Sequence, residues 1–221
     1  MAKTAHGDLA ADAAAHLARS ADPASCFGGD PKEIDRQAAC LIEWAKAHQV
    51  VLGDDYTSAL ERHKGISAEH EVFYRKSDDR VVKRTYPGTF GISDDPKGKQ
   101  HHATPMFYLR RLELMNQIFG ADLRVEGVSF GKSLIIGAKG EQPSLVISQP
   151  WIRAGNPRQP HPTVAQICEF MESLGFAELA GSYYGWHRKN DNITVLDARP
   201  DNFVMTQAGV VPIDLVIGQP N

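Results

Sequence analysis

Apolar residues recur at helical spacing in three stretches of the chain, which predicts three amphipathic helices. The first begins at Pro31, the second at Pro105, and the third covers roughly residues 163–179. Residues 8–20 are rich in alanine and are also helix-prone. We interpret residues 1–60 as a helical N-terminal extension packed on the main domain.

Short runs rich in β-branched and aromatic residues predict strands around and after these helices. The runs lie at residues 71–74, 80–85, 133–138, 144–149, 193–196, 203–206 and 210–213. Strands grouped around one helix, followed by a helix and a β-hairpin, are typical of an α+β fold.

The composition narrows the functional classes. Hydrophobic residues make up 42% of the chain and charged residues 23%, as in an ordinary soluble globular protein. The net charge of −3 argues against binding to nucleic acid or a membrane surface, since both need a positive field. No apolar run has the length of a membrane span, and the first residues do not resemble a secretory signal. Cys26, Cys40 and Cys168 are scattered, so we expect neither zinc nor disulfides, and a cytoplasmic location.

Three polar residues stand beside the last predicted strands. Asp197 and Asn202 lie five residues apart, and Asp214 follows the final strand. Their carboxylate and amide oxygens are the ligands that hard cations such as Mg²⁺ prefer. Turn formation is the alternative use of Asp and Asn. Three such residues, each next to an apolar strand, favour a catalytic and metal-binding site.

A regular hairpin would bring two of these residues together. If the last two strands are joined by a three-residue loop that ends at Gly209, Thr206 faces Val210. The same register places Asn202 opposite Asp214. Directly opposed residues have Cβ atoms about 4.5–5.5 Å apart, close enough to share one cation. The sequence therefore predicts a metal pair at the open end of this hairpin.

The same segment resembles the catalytic loop of protein kinases, in which an Asp precedes a metal-binding Asn by five residues. Asp214 resembles the metal-binding Asp of the DFG motif. Two departures are evident: Val195-Leu196 replaces the usual His-Arg before Asp197, and Leu215-Val216 replaces the Phe-Gly after Asp214.

The first half of the chain resembles the nucleotide-binding half of a kinase. Gly65 and Val72 have the spacing of the glycine-rich loop, with Ser67 and His70 in place of its second and third glycines. Lys83 resembles the strand lysine that contacts the α- and β-phosphates.

Two further assignments follow from the kinase resemblance. Glu113 would be the helical partner of the strand lysine; a surface pair of Glu113 with Arg110 is the alternative. Ser148, Gln149 and Trp151 would form the hinge, whose backbone binds adenine. An ordinary strand exit is the alternative for the hinge.

These motifs are similar to the small Ser/Thr/Tyr-kinase-like domains of phage and mobile-element polyvalent proteins, over roughly residues 60–217. The resemblance implies a two-lobed protein-kinase-like fold in residues 61–221, with an N-lobe at about 61–149 and a minimal C-lobe at about 150–221. It is carried by Val82-Lys83, Tyr108–Glu113, Leu196–Asn202 and Pro212-Ile213-Asp214.

The resemblance implies an ATP- and Mg²⁺-dependent phosphotransferase that acts on a hydroxyl acceptor. Asp197 would orient the hydroxyl and accept its proton, and Arg199 would help neutralise the γ-phosphate. Asn202 and Asp214 would hold Mg²⁺, and Lys83 would position the phosphates. The acceptor is a protein Ser, Thr or Tyr, or a small molecule. The alternative is a catalytically silent pseudokinase that binds nucleotide or a partner protein, because the missing glycines and altered motifs favour it.

Overall fold

The computed structural model describes residues 6–19, 30–53, 55–63, 67–94, 100–133 and 140–219. It has the mixed helix and sheet composition that the sequence predicted, an α+β fold. The chain forms two compact units. The first unit comprises Met1–Glu113 and Asp122–Pro150, and the second comprises Leu114–Ala121 and Trp151–Asn221.

The first unit combines helices with an antiparallel sheet. Its helices are α1 (His6–Ala18), α2 (Pro31–Ala47), α3 (Asp55–Ser58) and the first part of α4 (Pro105–Phe119). Its strands are β1 (Glu61–Arg62), β2 (His70–Arg75), β3 (Arg80–Thr85), β4 (Ile92–Asp94), β5 (Gln100–His102), β6 (Arg124–Lys132) and β7 (Glu141–Pro150). Five strands form one sheet in the order β1-β2-β3-β7-β6, and β4 pairs with β5.

Helix α2 begins where the sequence predicted, because the Asp30 side chain accepts a hydrogen bond from the Lys32 N–H and Pro31 occupies the first turn. Its apolar stripe is buried and includes Leu41 and Trp44, both fully inaccessible to solvent. Helices α1 and α2 pack on each other and on β6. The apolar face of α2 thus joins the core of the first unit.

Gly127 determines how the segment after α2 meets the sheet. The segment runs along β6, where the Leu52 N–H donates to Val128 and the Val128 N–H donates to Val50. Gly127 forms a bulge in β6 with φ 153°, and a Cβ there would lie 2.1 Å from the Val50 carbonyl oxygen. Only glycine permits this close approach, which covers an otherwise open sheet edge.

The second unit contains α5 (Val164–Ser173) and six strands. The strands are β8 (Ala177–Glu178), β9 (Trp186–Arg188), β10 (Ile193–Leu196), β11 (Phe203–Thr206), β12 (Gly209–Pro212) and β13 (Val216–Gly218). Four of them form an antiparallel sheet in the order β13-β10-β9-β8, and β11 and β12 form a hairpin. Phe119 from the end of α4 stacks on Phe170 and Phe176, and Phe170 meets Phe203 edge to face.

One predicted element differs from the structure, and another lies largely outside it. The strand expected at residues 133–138 falls, apart from Ser133, on residues outside the described ranges. Strand β6 precedes it and was not predicted, because its glycines and charges obscure the alternating pattern. The third amphipathic helix ends at Ser173 because Gly175 adopts a left-handed backbone (φ 81°) and the Phe176 N–H closes back on Met171. Among the helices in the described ranges, none is both long and apolar enough to span a bilayer.

Candidate functional site

The loop after β10 holds Asp197 against Asn202. Asp197 has a left-handed backbone with φ 56°, a conformation that costs energy outside glycine and is enriched at functional sites. The side-chain amide of Asn202 donates to the Asp197 carbonyl oxygen over 2.7 Å and to its carboxylate Oδ2 over 2.8 Å. Asn202 ends a 3-10 turn, Pro200–Asn202, that leads into β11. The five-residue spacing therefore closes a loop in which an amide orients a carboxylate.

Arg199 lies beside the same carboxylate. Its Nε is 2.6 Å from Oδ1 of Asp197 and its Nη2 is 3.4 Å from Oδ2, whereas the contact of Arg199 with Asp201 is longer at 3.7 Å. The hydrogen bond to Asp197 raises the pKa of Arg199. The side chains of Arg199 and Asp197 are about half exposed, so the ion pair contributes at most about 1 kcal/mol. Arg199 is thus held near Asp197 by a pair that can open at little cost.

The predicted register of the β11–β12 hairpin is wrong by one residue. Thr206 faces Gly209, so the connection has two residues and not three. The Thr206 hydroxyl closes this short turn by accepting from the Ala208 N–H and donating to the Gly209 carbonyl. As a result, Asn202 lies opposite Ile213, whose N–H donates to the Asn202 carbonyl over 2.9 Å.

Asp214 consequently does not face Asn202 across the hairpin. It is half-buried in a bend between β12 and β13, after the last paired residue Pro212. Because it stands outside the ladder, the alternation of the strand does not set the direction of its side chain. A metal-ligating role for Asn202 and Asp214 stays a prediction. It is not supported by the predicted pairing of these two residues across the hairpin, because the hairpin has a different register.

In the first unit, Lys83 lies on β3, the central strand of the sheet. It pairs with Val72 on one side and with Ile147 on the other, and it is 7% exposed. A buried lysine is rare unless other groups compensate its charge. Lys83 is therefore not a solvated charge at the edge of a sheet. Lys83 therefore lies next to Val72, which is on the neighbouring strand β2.

The predicted glycine-rich loop is only partly described, because Gly65 lies outside the described residues. The Ser67 hydroxyl accepts hydrogen bonds from the N–H groups of Glu69 and His70, which makes a tight turn. The buried ring of His70 is hydrogen bonded through Nε2 to the Tyr108 hydroxyl, at 2.6 Å. The position of the loop's third glycine is therefore filled by a packed side chain.

Glu113 does not pair with Lys83, contrary to the prediction. Its carboxylate lies 2.6 Å from Nη1 of Arg110, three residues earlier on α4. Glu113 borders the buried stripe of α4, and the exposed side chain of Arg110 reaches it there along the helix surface. The local pair offered as the alternative is the one that forms.

The buried charge on α4 is instead Arg111, which sequence reasoning missed. Arg111 is 5% exposed, and its Nη1 contacts both carboxylate oxygens of Glu69, at 2.9 and 3.2 Å. Glu69 also accepts the Ile92 N–H over 2.8 Å. The sequence contained a sign of this burial. Arg111 lies at helical spacing from Tyr108 and Met115, so it falls on the buried face of α4, where a charged side chain requires a partner.

The position of Ser148 within the sheet does not fit its predicted role in the hinge. Its backbone lies inside the sheet, paired with Val82 of β3 and Arg124 of β6. Its hydroxyl accepts from Arg80 Nε over 2.9 Å and donates to Glu126. The backbone of Ser148 is thus enclosed by neighbouring strands and not presented to a ligand.

The other two hinge positions are compatible with the prediction. Gln149 is buried and pairs with Val81 of β3, and β7 ends at Pro150. Trp151 begins the longer segment of the second unit and is exposed. The adenine-binding role of Gln149 and Trp151 stays a prediction.

Glu126 is the centre of a polar network within the first unit. It accepts hydrogen bonds from the Tyr56 hydroxyl and from Arg75, both over 2.9 Å, and from Ser148. Burial alone would raise the pKa of Glu126, but the hydrogen bonds from Arg75 and Ser148 and the charge of Arg75 outweigh it and lower the pKa to about 2. Burial and the neighbouring Glu126 raise the pKa of Tyr56. This network joins α3, β2, β6 and β7.

The loop that Asp197 and Asn202 close resembles that of a kinase, and the comparison with family models identifies which family the chain belongs to. Residues 34–218 match the family described as serine/threonine/tyrosine kinase found in polyvalent proteins, and the chain belongs to this family. The suspected resemblance is confirmed, and the match begins within α2, earlier than the motifs indicated. Neither the curated proteins nor the solved structures include a match to this chain.

Proposed function

We propose that the protein is an ATP- and Mg²⁺-dependent phosphotransferase with a two-lobed kinase architecture, acting on a hydroxyl acceptor. The observation that carries this proposal is the clamp of Asn202 on Asp197, with its two hydrogen bonds of 2.7 and 2.8 Å. Holding a carboxylate in one orientation next to an amide is what positioning of an acceptor hydroxyl requires.

The donor set fits a hard cation. The side-chain amide nitrogen of Asn202 donates to Asp197. The side-chain carbonyl oxygen of Asn202 is therefore the atom that would act as a metal ligand. Asp214 would supply a carboxylate oxygen, and both groups are of the type that Mg²⁺ accepts. A bound Mg²⁺ would supply charge neutralisation for the phosphates, and these two residues would hold it.

The remaining roles follow from position and charge. Asp197 would orient the acceptor hydroxyl and accept its proton. Arg199 would leave its weak pair with Asp197 to face phosphate oxygens. Lys83, a buried cation on β3, would bind the α- and β-phosphates. Catalysis would then come mainly from positioning and electrostatic stabilisation.

A pseudokinase is the second candidate, and specific observations favour it. Glu113 does not secure Lys83, and His70 fills the loop position that a glycine would leave open. On this alternative the protein binds nucleotide without transferring phosphate.

Incubation with γ-labelled ATP and Mg²⁺ separates the two. We expect label in an acceptor or in released phosphate for the parent, and loss of both in Asp197→Asn with nucleotide binding retained. Asp201→Asn is the matched control, because Asp201 is an exposed carboxylate of the same loop. Nucleotide binding without any turnover by the parent would favour the pseudokinase, and equal turnover in both variants would refute the role of Asp197.

A further inference from the structure

The second unit contains a cavity of about 510 Å³ that the assigned site does not use. It lies between α5 and the segment 179–185 that connects β8 to β9, and Ala198 of the Asp197 loop closes one part of it. Its volume is within the range of about 300–1,000 Å³ typical of small-molecule sites. A pocket of this size is suited to a compact ligand and not to an extended peptide.

The cavity is lined by one acidic side chain. Among the described residues that line it, Glu178 is the only Asp, Glu, Lys or Arg. The thiol of Cys168 lies 3.6 Å from its Oε1, and burial together with the Glu178 carboxylate raises the pKa of that thiol. The thiol is thus a neutral, weak donor, and no Lys or Arg among the described residues that line the cavity offsets the Glu178 carboxylate. A cationic ligand would be attracted to the cavity.

Aromatic rings line the same cavity. The rings of Tyr183 and Tyr184 meet at 76° with centroids 5.7 Å apart, and Trp186 contributes a third aromatic side chain. Tyr183 is 91% exposed, so its ring is accessible to a ligand. Aromatic faces at a steep angle, next to a carboxylate, are the chemistry that binds organic ammonium groups by cation–π attraction.

The aromatic segment is joined directly to the candidate catalytic loop. The Ala198 N–H donates to the Tyr184 carbonyl oxygen over 3.0 Å. Both Tyr184 and Asp197 have left-handed backbones, with φ 60° and 56°. A ligand in the cavity therefore lies beside the residue that follows Asp197, and two uncommon backbone conformations preserve this arrangement.

We infer that this cavity binds the ammonium group of a small amino-alcohol acceptor, with Glu178 and the Tyr183–Tyr184 pair as its recognition elements. The inference rests on the proposed function and names its substrate class. The hydroxyl oxygen of the bound acceptor would form a bond to the γ-phosphorus of ATP as the bond from that phosphorus to the β–γ bridging oxygen breaks. The hydroxyl proton would pass to the Asp197 carboxylate, and ADP would leave.

Calorimetric titration of the full chain, without nucleotide, tests the site with two probes of the same shape. Choline carries a quaternary ammonium group, and 3,3-dimethylbutan-1-ol is its neutral isostere. We expect choline to bind at least tenfold more tightly. Equal affinity for the two compounds, or no binding of either, would overturn the inference, as would tighter binding of a lysine-containing peptide than of choline.

Two variants locate the interaction, and a third controls for charge. Glu178→Gln should reduce the affinity for choline to that for the neutral isostere. Tyr183→Leu should weaken choline binding severalfold, and its exposed ring can be removed without disturbing the core. Glu169→Gln makes the same charge change on the exposed surface of α5 and should leave binding unchanged. Choline binding that survives Glu178→Gln, or that falls equally in Glu169→Gln, would refute the assignment.

Adding Mg-ATP separates this inference from the proposed function. Label transfer from γ-labelled ATP to choline would support both. Charge-dependent choline binding without transfer to any compound would uphold the ammonium site and count against the phosphotransferase. Transfer to other hydroxyl compounds, together with no preference for ammonium groups, would support the phosphotransferase and overturn the ammonium site.

Discussion

Replacing Glu126 by Gln tests the polar network of the first unit quantitatively. The side chain of Glu126 is 10% exposed and bonded to Tyr56, Arg75 and Ser148. Its pKa falls from 4.5 to about 2 in the folded protein. A shift of this size corresponds to about 3 kcal/mol of stability from the charged form.

The sign of the pH dependence follows from the lowered pKa of Glu126. The stabilisation is fully present above the unfolded-state pKa of 4.5 and is lost as the pH falls toward the folded-state pKa of about 2. About 2 kcal/mol of it should disappear between pH 6 and pH 3. The variant cannot titrate at this position, so the difference in unfolding free energy between parent and variant should shrink by that amount.

Urea unfolding followed by circular dichroism, at pH 6, 4.5 and 3, measures this difference. Comparing parent and variant cancels the contributions of all other carboxylates. Glu61→Gln, at an exposed position of β1, is the control and should follow the parent at every pH. If the gap between the parent and Glu126→Gln stayed constant from pH 6 to pH 3, the network would not hold the charged carboxylate as described.

Three further predictions concern stability and ligand binding. Gly127→Ala should lower the unfolding free energy by several kcal/mol in urea titrations, because its Cβ would clash with the Val50 carbonyl; an unchanged midpoint would contradict the tight approach. Arg111→Met should cost about 3–5 kcal/mol by leaving Glu69 buried without this partner, and adding Glu69→Leu should restore part of the loss; additive costs would refute the coupling. Mg-ATP at a hundredfold excess over its dissociation constant should stabilise the protein by about 2.7 kcal/mol in thermal unfolding, less with a chelator and less in Lys83→Ala; no shift would count against nucleotide binding.

Local signals in the sequence were sufficient for many of the elements. Helix α2 was predicted from Asp30 and Pro31, and the cap that these residues form is present. Strands β10 and β11 have the predicted bounds. The five-residue spacing of Asp197 and Asn202 identified the loop that their side chains close. All of these depend on interactions between residues close in sequence, which is why composition and spacing reveal them.

Tertiary structure decided the partners of individual side chains. The Thr206 hydroxyl shortened the hairpin turn and moved Asn202 opposite Ile213. Arg111, and not Glu113, became the buried charge of α4, since its partner Glu69 comes from a turn 42 positions earlier. Residue spacing along one element says which face a side chain occupies. It does not say which distant group will meet that face, because this depends on how the elements pack together.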